Sequence, residues 1–574
     1  MICRLADNVV TPLGATTAEN YQAIKAGRSA LRRYTGLWGI PEPFTASLFT
    51  DSQTKAYAVD GLTRFESLAY RSASMAVKDA AIDVASPRTV FILSTTKANV
   101  ELLTADDAYH AQYYPGAAAK RIGQRLGVTT DPIVVCNACI SGVAAITLAL
   151  RLLDAGVYDE AVICGADVQS KFTVSGFQSL KAVSEDECRP FDIERLGLNL
   201  GEAAATMVVR AGSPGDRQAG KQAWQISHSA IRNDAFHISS PSKNGEGAYL
   251  ALKAVLLGVD HTDSLALVNA HGTATMFNDQ MESVAIERAG LNTIPVNGLK
   301  GYFGHTLGAA GILETIMTMA ALDDHTLLAT RGFSDHGVSG KISLSSQNAV
   351  TTKQNFIKMI SGFGGCNAAL LARRGEPQGT AVAADVRLEK RHTVSITPTT
   401  LTVDGRDVPV QAAGTSLLTW LYKQHVADYP KFYKMDGLSK LGFLASELLL
   451  KQEQRPRFVD CDDRAVILFN NSSSIGADRK YLTSIVDADN YFPSPSVFVY
   501  TLPNIVTGEI AMRNRYHGET SFYITPHRDD QLSWQVVCAS LADADTQSVL
   551  GGWIDYTDDH HFEAELYIAA QAPK

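Results

Sequence analysis

Short β-rich apolar runs alternate with Ala- and Leu-rich helical stretches through the first 375 residues, and this alternation constrains the fold more than any other feature. Thr89-Val90-Phe91-Ile92-Leu93, Ile133-Val134-Val135 and Ala161-Val162-Ile163-Cys164 read as strands buried on both faces. Between the last two, Val143 to Leu153 is apolar on nearly every side, which suits a buried helix. Strands of this kind joined by helices predict an α/β layered architecture. At 574 residues the chain exceeds one ordinary core, so two or more domains are expected. From Gly375 to Lys390 the composition turns to Gly, Pro, Gln, Thr, Ala and charge. The predicted division is therefore a first domain over 1–375, a linker over 376–390 and a smaller α/β domain over 391–574.

The smaller domain echoes part of the larger one. Arg88 to Ser94 matches Arg464 to Asn470, Leu68 to Val77 matches Leu438 to Leu448, and Val162 to Gly165 matches Val549 to Gly552. Cys139-Ile140-Ser141-Gly142 lines up with Ile505-Val506-Thr507-Gly508. All four matches keep their order, which predicts a repeated half-domain with Ile505 standing where the first copy has Cys139.

A formal charge of -9 argues against a nucleic-acid partner, because phosphate binding needs a clustered basic surface. The opening Met-Ile-Cys-Arg-Leu-Ala-Asp has no apolar export core, and no run of about 18 uncharged apolar residues occurs, so no membrane span is expected. The eight cysteines lack a framework spacing and read as reduced thiols of a cytoplasmic protein.

Cys139 follows an apolar strand and a small-residue turn, and opens a helical run. That position aims backbone N–H groups and the positive helix end at its sulfur, favouring thiolate, and makes it a candidate nucleophile. Taken alone, the segment fits a buried small cysteine as well. Cys136-x-x-Cys139 also has redox and zinc spacing, but no second ligand pair accompanies it and Cys136 falls within the apolar run, so no metal is expected. His271 stands in a small-residue loop after the strand Leu265 to Val268, where open α/β sheets assemble sites. His305 precedes the Gly/Ala-rich Leu307-Gly308-Ala309-Ala310-Gly311, and Ser361 to Asn367 is a glycine-rich loop after an apolar strand.

Together, Asn-Ala-Cys139-Ile-Ser-Gly, Asn-Ala-His271-Gly-Thr-Ala-Thr, Lys300-Gly-Tyr-Phe-Gly-His305 and Gly-Phe363-Gly-Gly-Cys-Asn367 resemble the elongating β-ketoacyl-acyl-carrier-protein synthases. Thr11-Pro12-Leu13-Gly14, Arg189-Pro190-Phe191-Asp192, Gly201-Glu202, Asp279 and Glu282 extend the resemblance, which covers about residues 1 to 375. It implies a thiolase-like layered α/β/α/β/α fold and a decarboxylative condensation of an acyl chain with a malonyl group. Cys139 would be the nucleophile, His271 and His305 the decarboxylation pair, and Lys300 an electrostatic support that fixes one of them. The backbone N–H groups of Cys139 and Phe363 would form the oxyanion hole, with Phe363 also the gate of the acyl pocket. Thr273 and Thr275 would bind the pantetheine arm, Asn367 would line the substrate site, and Glu314 and Asp279 would support it. No cofactor is implied, since the phosphopantetheine arrives on an acyl carrier protein. A homodimer or a heterodimer with a ketosynthase-like partner is implied as well.

Two departures stand out: the family more often has Asp at position 196, here Leu196, and Gly at position 203, here Ala203. Residues Val499 to Ile510 resemble degenerate partners in aryl-polyene pigment pathways. The competing functions are a malonyl-carrier decarboxylase or thioesterase, and a non-catalytic carrier-binding partner of the chain-length-factor kind, against which the retained Cys139 argues.

Overall fold

The computed structural model describes residues 1–104, 110–212, 223–375 and 388–571. One five-stranded pattern occurs three times in it.

In the first copy, β1 (Ile2–Val10), α1 (Arg64–Ala80), β2 (Thr89–Ser94), α2 (Pro115–Leu126), β3 (Ile133–Val135), α3 (Ser141–Asp154), β4 (Glu160–Asp167) and β5 (Ala203–Ala211) follow in order. Strand β2 pairs in parallel with β3 on one side and β4 on the other; β4 then pairs antiparallel with β5, and β5 with β1.

The second copy comprises β6 (Trp224–Asn233), α4 (Glu246–Leu256), β7 (Leu265–Asn269), α5 (Met276–Arg288), β8 (Pro295–Asn297), α6 (Ala310–Asp323), β9 (Asn355–Gly362) and β10 (Cys366–Arg374). Its strands repeat the same pairings in the same directions. The third comprises β11 (Leu388–Ile396), α7 (Gly437–Leu450), β12 (Arg464–Asn470), α8 (Ile505–Asn514), β13 (Thr520–Ile524), α9 (Asp530–Ser540), β14 (Ser548–Asp558) and β15 (His561–Gln571), and repeats them again. Each copy even places one extra residue in its first strand, at Leu5, Ser227 and His392, a bulge that coils the strand against its partner.

Copies one and two stack into the expected helix-sheet-helix-sheet-helix order. Helices α3 and α6 pack against each other between the two sheets, and every residue from Ser141 to Leu153 is buried. That is why its sequence has no polar face. Helix α1 covers the outer face of the first sheet. Its start is fixed by a capping box between Thr63 and Glu66, and Phe65, Leu68, Ala69, Ala73 and Ala76 form its buried stripe. Helices α4 and α5 cover the outer face of the second sheet.

The third copy joins the first edge to edge. Strand β13 pairs antiparallel with β3, setting Tyr523 opposite Val135 and Ile524 opposite Val134. Helices α1 and α7, each on the outer face of its own sheet, contribute to one continuous apolar cluster. The repeat expected from sequence is thus present as topology, but two of its four alignments shift. Strand β12 does match β2, and α7 matches α1. Strand β14 matches β4 two residues away from the expected register: Glu160 faces Thr89 as Val549 faces Ala465.

The nucleophile alignment is wrong. Ile505 opens α8, which lies between β12 and β13 in the place α2 holds in the first copy. Cys139 stands four residues beyond Val135; the residue four beyond Ile524, the structural counterpart of Val135, is Arg528. Apolar residues followed by Thr or Ser and Gly recur at helix starts, so a four-residue match could not separate α3 from α8. The third copy still lacks a sulfur at the turn. Arg528 instead pairs with Asp530 at 2.8 Å and Glu565 at 2.7 Å.

Of the expected linker, 376–387 lies outside the described residues, and Leu388 to Lys390 belong to β11. Among the described residues no helix is long and apolar enough to cross a membrane.

Candidate active site

Strand β3 ends at Val135, and the chain turns through Cys136, Asn137 and Ala138 into the first turn before α3. Ala138 holds φ at 47°, a left-handed conformation that costs about 1 kcal/mol or more in a non-glycine residue and marks a sharp, over-determined turn. Ser141 fixes it, its Oγ accepting the Asn137 N–H at 2.8 Å and donating to the Ala138 carbonyl at 2.6 Å. The result presents Cys139, 9% exposed, to a pocket. Burial pushes its thiol up to about 12, against the pull of Lys300. Desolvation of a charged sulfur here outweighs the nearby positive charge, so burial favours the thiol where the position at the helix start predicts thiolate. Cys136 turns its Sγ to the Thr96 carbonyl at 3.5 Å, and both cysteines are free thiols.

His271 and His305 come from the second copy and face Cys139. One ring nitrogen of each histidine and the Cys139 sulfur lie within 4.8 Å of one another. The two imidazoles meet edge to face with centroids 4.9 Å apart. The Leu307 N–H donates to His305 Nδ1 at 3.3 Å, which leaves the hydrogen of the neutral ring on Nε2. His305 Nε2 and His271 Nδ1 have no hydrogen-bond partner among the described residues. Both rings are held well below 6.5, by burial first and then by the charge of Lys300, so both rest neutral.

A buried charge cluster stands behind them. Lys300 donates to the His271 carbonyl and to Glu314 Oε1, each at 2.7 Å. Lys300 thus fixes the backbone of His271, not its ring. Glu314 bridges two ammonium groups directly, the second being Lys358 on β9. Lys358 also donates to the Ala270 carbonyl at 3.2 Å. Despite its burial, the Glu314 carboxyl is held below its ordinary range by the two lysines.

The His271 loop is held from α5. Glu282 accepts the His271 and Gly272 N–H groups, each at 2.7 Å. Asp279 accepts those of Thr273 at 2.9 Å and Phe191 at 2.7 Å. Asp279 thus holds the loop through these backbone N–H groups.

The pocket encloses about 320 Å³ and is lined by the buried Cys139, His271, His305 and Thr273, with Thr275 and the exposed Phe277. The Thr273 and Thr275 hydroxyls stand 2.9 Å apart. Phe363 lines the pocket and stacks on Phe177, centroids 6.0 Å apart. The glycine-rich loop lies directly on the nucleophile turn: a methyl group at Gly362 would come within 3.2 Å of the Cys139 nitrogen. Asn367 lines the pocket too, its Oδ1 accepting from Ser361 at 2.7 Å and its Nδ2 donating to Asp234 at 3.2 Å.

Three functional groups escaped the sequence reading. Lys358 is a lone charge in the apolar run Phe356 to Ile360, and that incongruity was a usable signal. Asp167, at the end of β4, accepts from Thr95 and Gly308, each at 2.7 Å, and so ties the segment after His305 to the end of β2. Asn137 links the nucleophile turn to β13, a contact that no local pattern encodes.

A cysteine heading a central helix, faced by two histidines from the companion sheet, defines the thiolase-like class. The β-ketoacyl synthase N-terminal domain matches residues 6–214 and the C-terminal domain residues 224–334, together more than half the chain. The chain belongs to the β-ketoacyl synthase family. It is 34% identical over 254 residues to 3-oxoacyl-[acyl-carrier-protein] synthase 2 of Rhizobium meliloti, covering 42% of this chain and 60% of that protein. To the protein of the same name from Vibrio cholerae it is 31% identical over 262 residues, covering 43% and 63%. It thus spans less than two thirds of the length of these relatives.

A solved structure titled PfaC Keto synthase-Chain length factor superposes with a TM-score of 0.78 at 14% identity, covering 99% of this chain and 78% of that one. The ketosynthase ApeO, in complex with its chain length factor ApeC from Xenorhabdus doucetiae, gives 0.56 at 23% identity, covering 65% and 98%. These likenesses establish the fold across all three copies.

Proposed function

We propose that this chain is a β-ketoacyl synthase that condenses an acyl group held on Cys139 with a malonyl group brought by an acyl carrier protein. The observation that carries this reading is the meeting of Cys139, His271 and His305 in one buried pocket.

In the first half-reaction the Cys139 sulfur attacks the acyl thioester; a new thioester forms, and the carrier's pantetheine leaves as a thiol with the proton the cysteine gave up. The neutral His271 ring is the base available to carry that proton. In the second, the malonyl carboxylate leaves as carbon dioxide and the electron pair left behind becomes an enolate on the thioester oxygen. His305 Nε2–H is aimed to stabilise that charge, and the buried lysines add a favourable field. The enolate carbon attacks the Cys139 thioester, a carbon–carbon bond forms, and the sulfur leaves to regain its proton. The close approach of Gly362 to the Cys139 nitrogen supports an oxyanion hole from the Cys139 and Phe363 N–H groups. Thr273 and Thr275 suit the pantetheine arm. The reaction draws on no metal or redox group, and the free cysteines suit a reducing cytoplasm.

The third copy takes the place of a partner subunit. The likeness to a structure titled as a ketosynthase with a chain length factor supports this, as does the edge-to-edge pairing of β3 with β13. An aryl-polyene product is the finer reading, resting on Val499 to Ile510.

The test mixes an acylated carrier, a malonyl-carrier and the protein, and follows products by mass spectrometry. A β-ketoacyl product that vanishes in Cys139→Ala is expected. Carbon dioxide released without chain extension would identify a decarboxylase instead, and no turnover at all a carrier-binding scaffold.

A further inference from the structure

Phe363 opens the three-residue turn between β9 and β10, and the third copy holds that turn by its backbone. Asn504, the residue ahead of α8, donates from Nδ2 to the Phe363 carbonyl at 2.8 Å. One residue on, Gly364 has φ at 91°, in the left-handed region that favours glycine. A Cβ there would fall 2.7 Å from the same Asn504 nitrogen, and a Cβ at Gly508 on α8 would fall 2.5 Å from the Gly364 oxygen. That oxygen accepts from Asn233 Nδ2 at 2.8 Å, and the same amide donates to Thr520 Oγ1 on β13 at 2.9 Å. The Gly364 N–H donates to the Ile238 carbonyl at 2.6 Å. Through Gly362 the turn also lies on the Cys139 nitrogen, so it touches both the nucleophile turn and α8.

An amide is an unfavourable choice for this place on packing grounds alone. Asn504 is 1% exposed, and its Oδ1 has no hydrogen-bond partner among the described residues. A leucine of similar shape would bury no unpaired acceptor. What leucine lacks is the donor end, and that end is directed at the Phe363 carbonyl. From these contacts we infer that Asn504 is a positioning residue, through which the third copy fixes the direction of the Phe363 N–H as an oxyanion donor. The inference rests on the condensing reading above. A donor stabilises developing charge only when it is aimed in advance. The pairing of Gly362 with Cys366 holds the turn at its base, while two successive left-handed glycines leave its tip without restraint of its own. Asn504 supplies that restraint on the far side of Phe363, without touching the substrate.

The test follows the mass added at Cys139 of the full-length protein with time, over a range of hexanoyl-pantetheine concentrations, and in parallel its alkylation by iodoacetamide. Alkylation displaces iodide and builds no oxyanion, so it reports the sulfur without the hole. Asn504→Leu keeps the volume and loses the donor. Its maximal loading rate should fall by about ten- to a hundredfold, less than the loss of an oxyanion donor outright, with the half-saturating concentration little changed. Its alkylation should run at the wild-type rate. Asn504→Ala should show the same split, and urea unfolding checks that each variant is folded. Wild-type loading in both folded variants would overturn the inference and leave condensation intact. Equal slowing of loading and alkylation would overturn it too, since it marks a displaced sulfur and not a misaimed donor. The expected split, in a wild-type protein that yields no β-ketoacyl product with malonyl-carrier, would remove the condensing reading and keep the role of Asn504. A wild-type protein that takes up no acyl group would defeat both.

Discussion

The Asn137 side-chain carbonyl accepts the Phe522 N–H at 2.8 Å, and its amide donates to the Thr520 carbonyl at 3.2 Å. A side chain two residues before the nucleophile thereby pairs with β13 as another strand would. Next to it the Cys136 N–H donates to the Phe522 carbonyl at 3.1 Å. The turn that aims Cys139 is therefore held from the third copy as much as from its own sheet.

Asn137→Ala should leave the Phe522 N–H without its acceptor inside the interface, at a cost of about 1–3 kcal/mol. Urea unfolding measures that cost. The rate at which Cys139 takes up an acyl group should fall in the same variant, because the turn loses its brace. A stability loss with an unchanged acylation rate would show that β3 alone positions the sulfur.

Cys139→Ala should abolish acyl loading while changing stability by about 1 kcal/mol or less, since one sulfur at a pocket wall is a small volume to lose. Intact-protein mass after incubation with an acyl thioester reports the first, and thermal unfolding the second.

Glu314→Gln removes the one negative charge that Lys300 and Lys358 share in a fully buried site. Leaving buried ammonium groups uncompensated should cost about 3–5 kcal/mol. The Glu314 carboxyl is held below its ordinary 4.5, so its own stabilisation is complete above that value and is lost as pH falls through the folded one. A urea series around pH 7 and another near pH 4 should show the gap between wild type and variant narrowing in acid.

His271 and His305 have folded pKa values well below 6.5. Between the folded values and 6.5 the unfolded chain binds more protons, so stability rises with pH through that window and falls as pH drops below about 6.5. Asp167, pushed up to about 6 by burial, acts with the opposite sign. Comparison with a His271→Gln, His305→Gln variant isolates the histidine share: its melting temperature should fall less than that of wild type between about pH 7 and pH 5. Parallel curves for the two proteins would contradict the assignment of neutral, buried rings.

Local patterns carried much of this in advance. An unbroken apolar run predicts the central helix α3, whereas Cys139, His271 and His305 stand out only through the family resemblance that their motifs carry together. What stayed hidden depends on partners far along the chain. Arg528 could be matched to Cys139 as its counterpart in the third copy only through the ladder register of β12 and β13, because its own neighbours do not resemble Ala138 and Ile140. Glu314 was legible as a supporting residue, yet its two lysines lie 14 and 44 positions away on other elements. The Asn137 link spans 385 positions. Sequence periodicity reports which face of an element is buried; it does not report what lies across that face.

The pairing of β3 with β13 lies within one polypeptide. Two separate subunits joined by such an edge would part on dilution, and each encounter would carry the entropic cost of association. Here the brace is present at an effective concentration set by the chain itself, independent of how much protein is in solution. The symmetry is broken as well, since Arg528 stands where a second sulfur would be. On the proposed condensing reading, this paired turn is expected to carry one acyl group per polypeptide, not one per half of a pair.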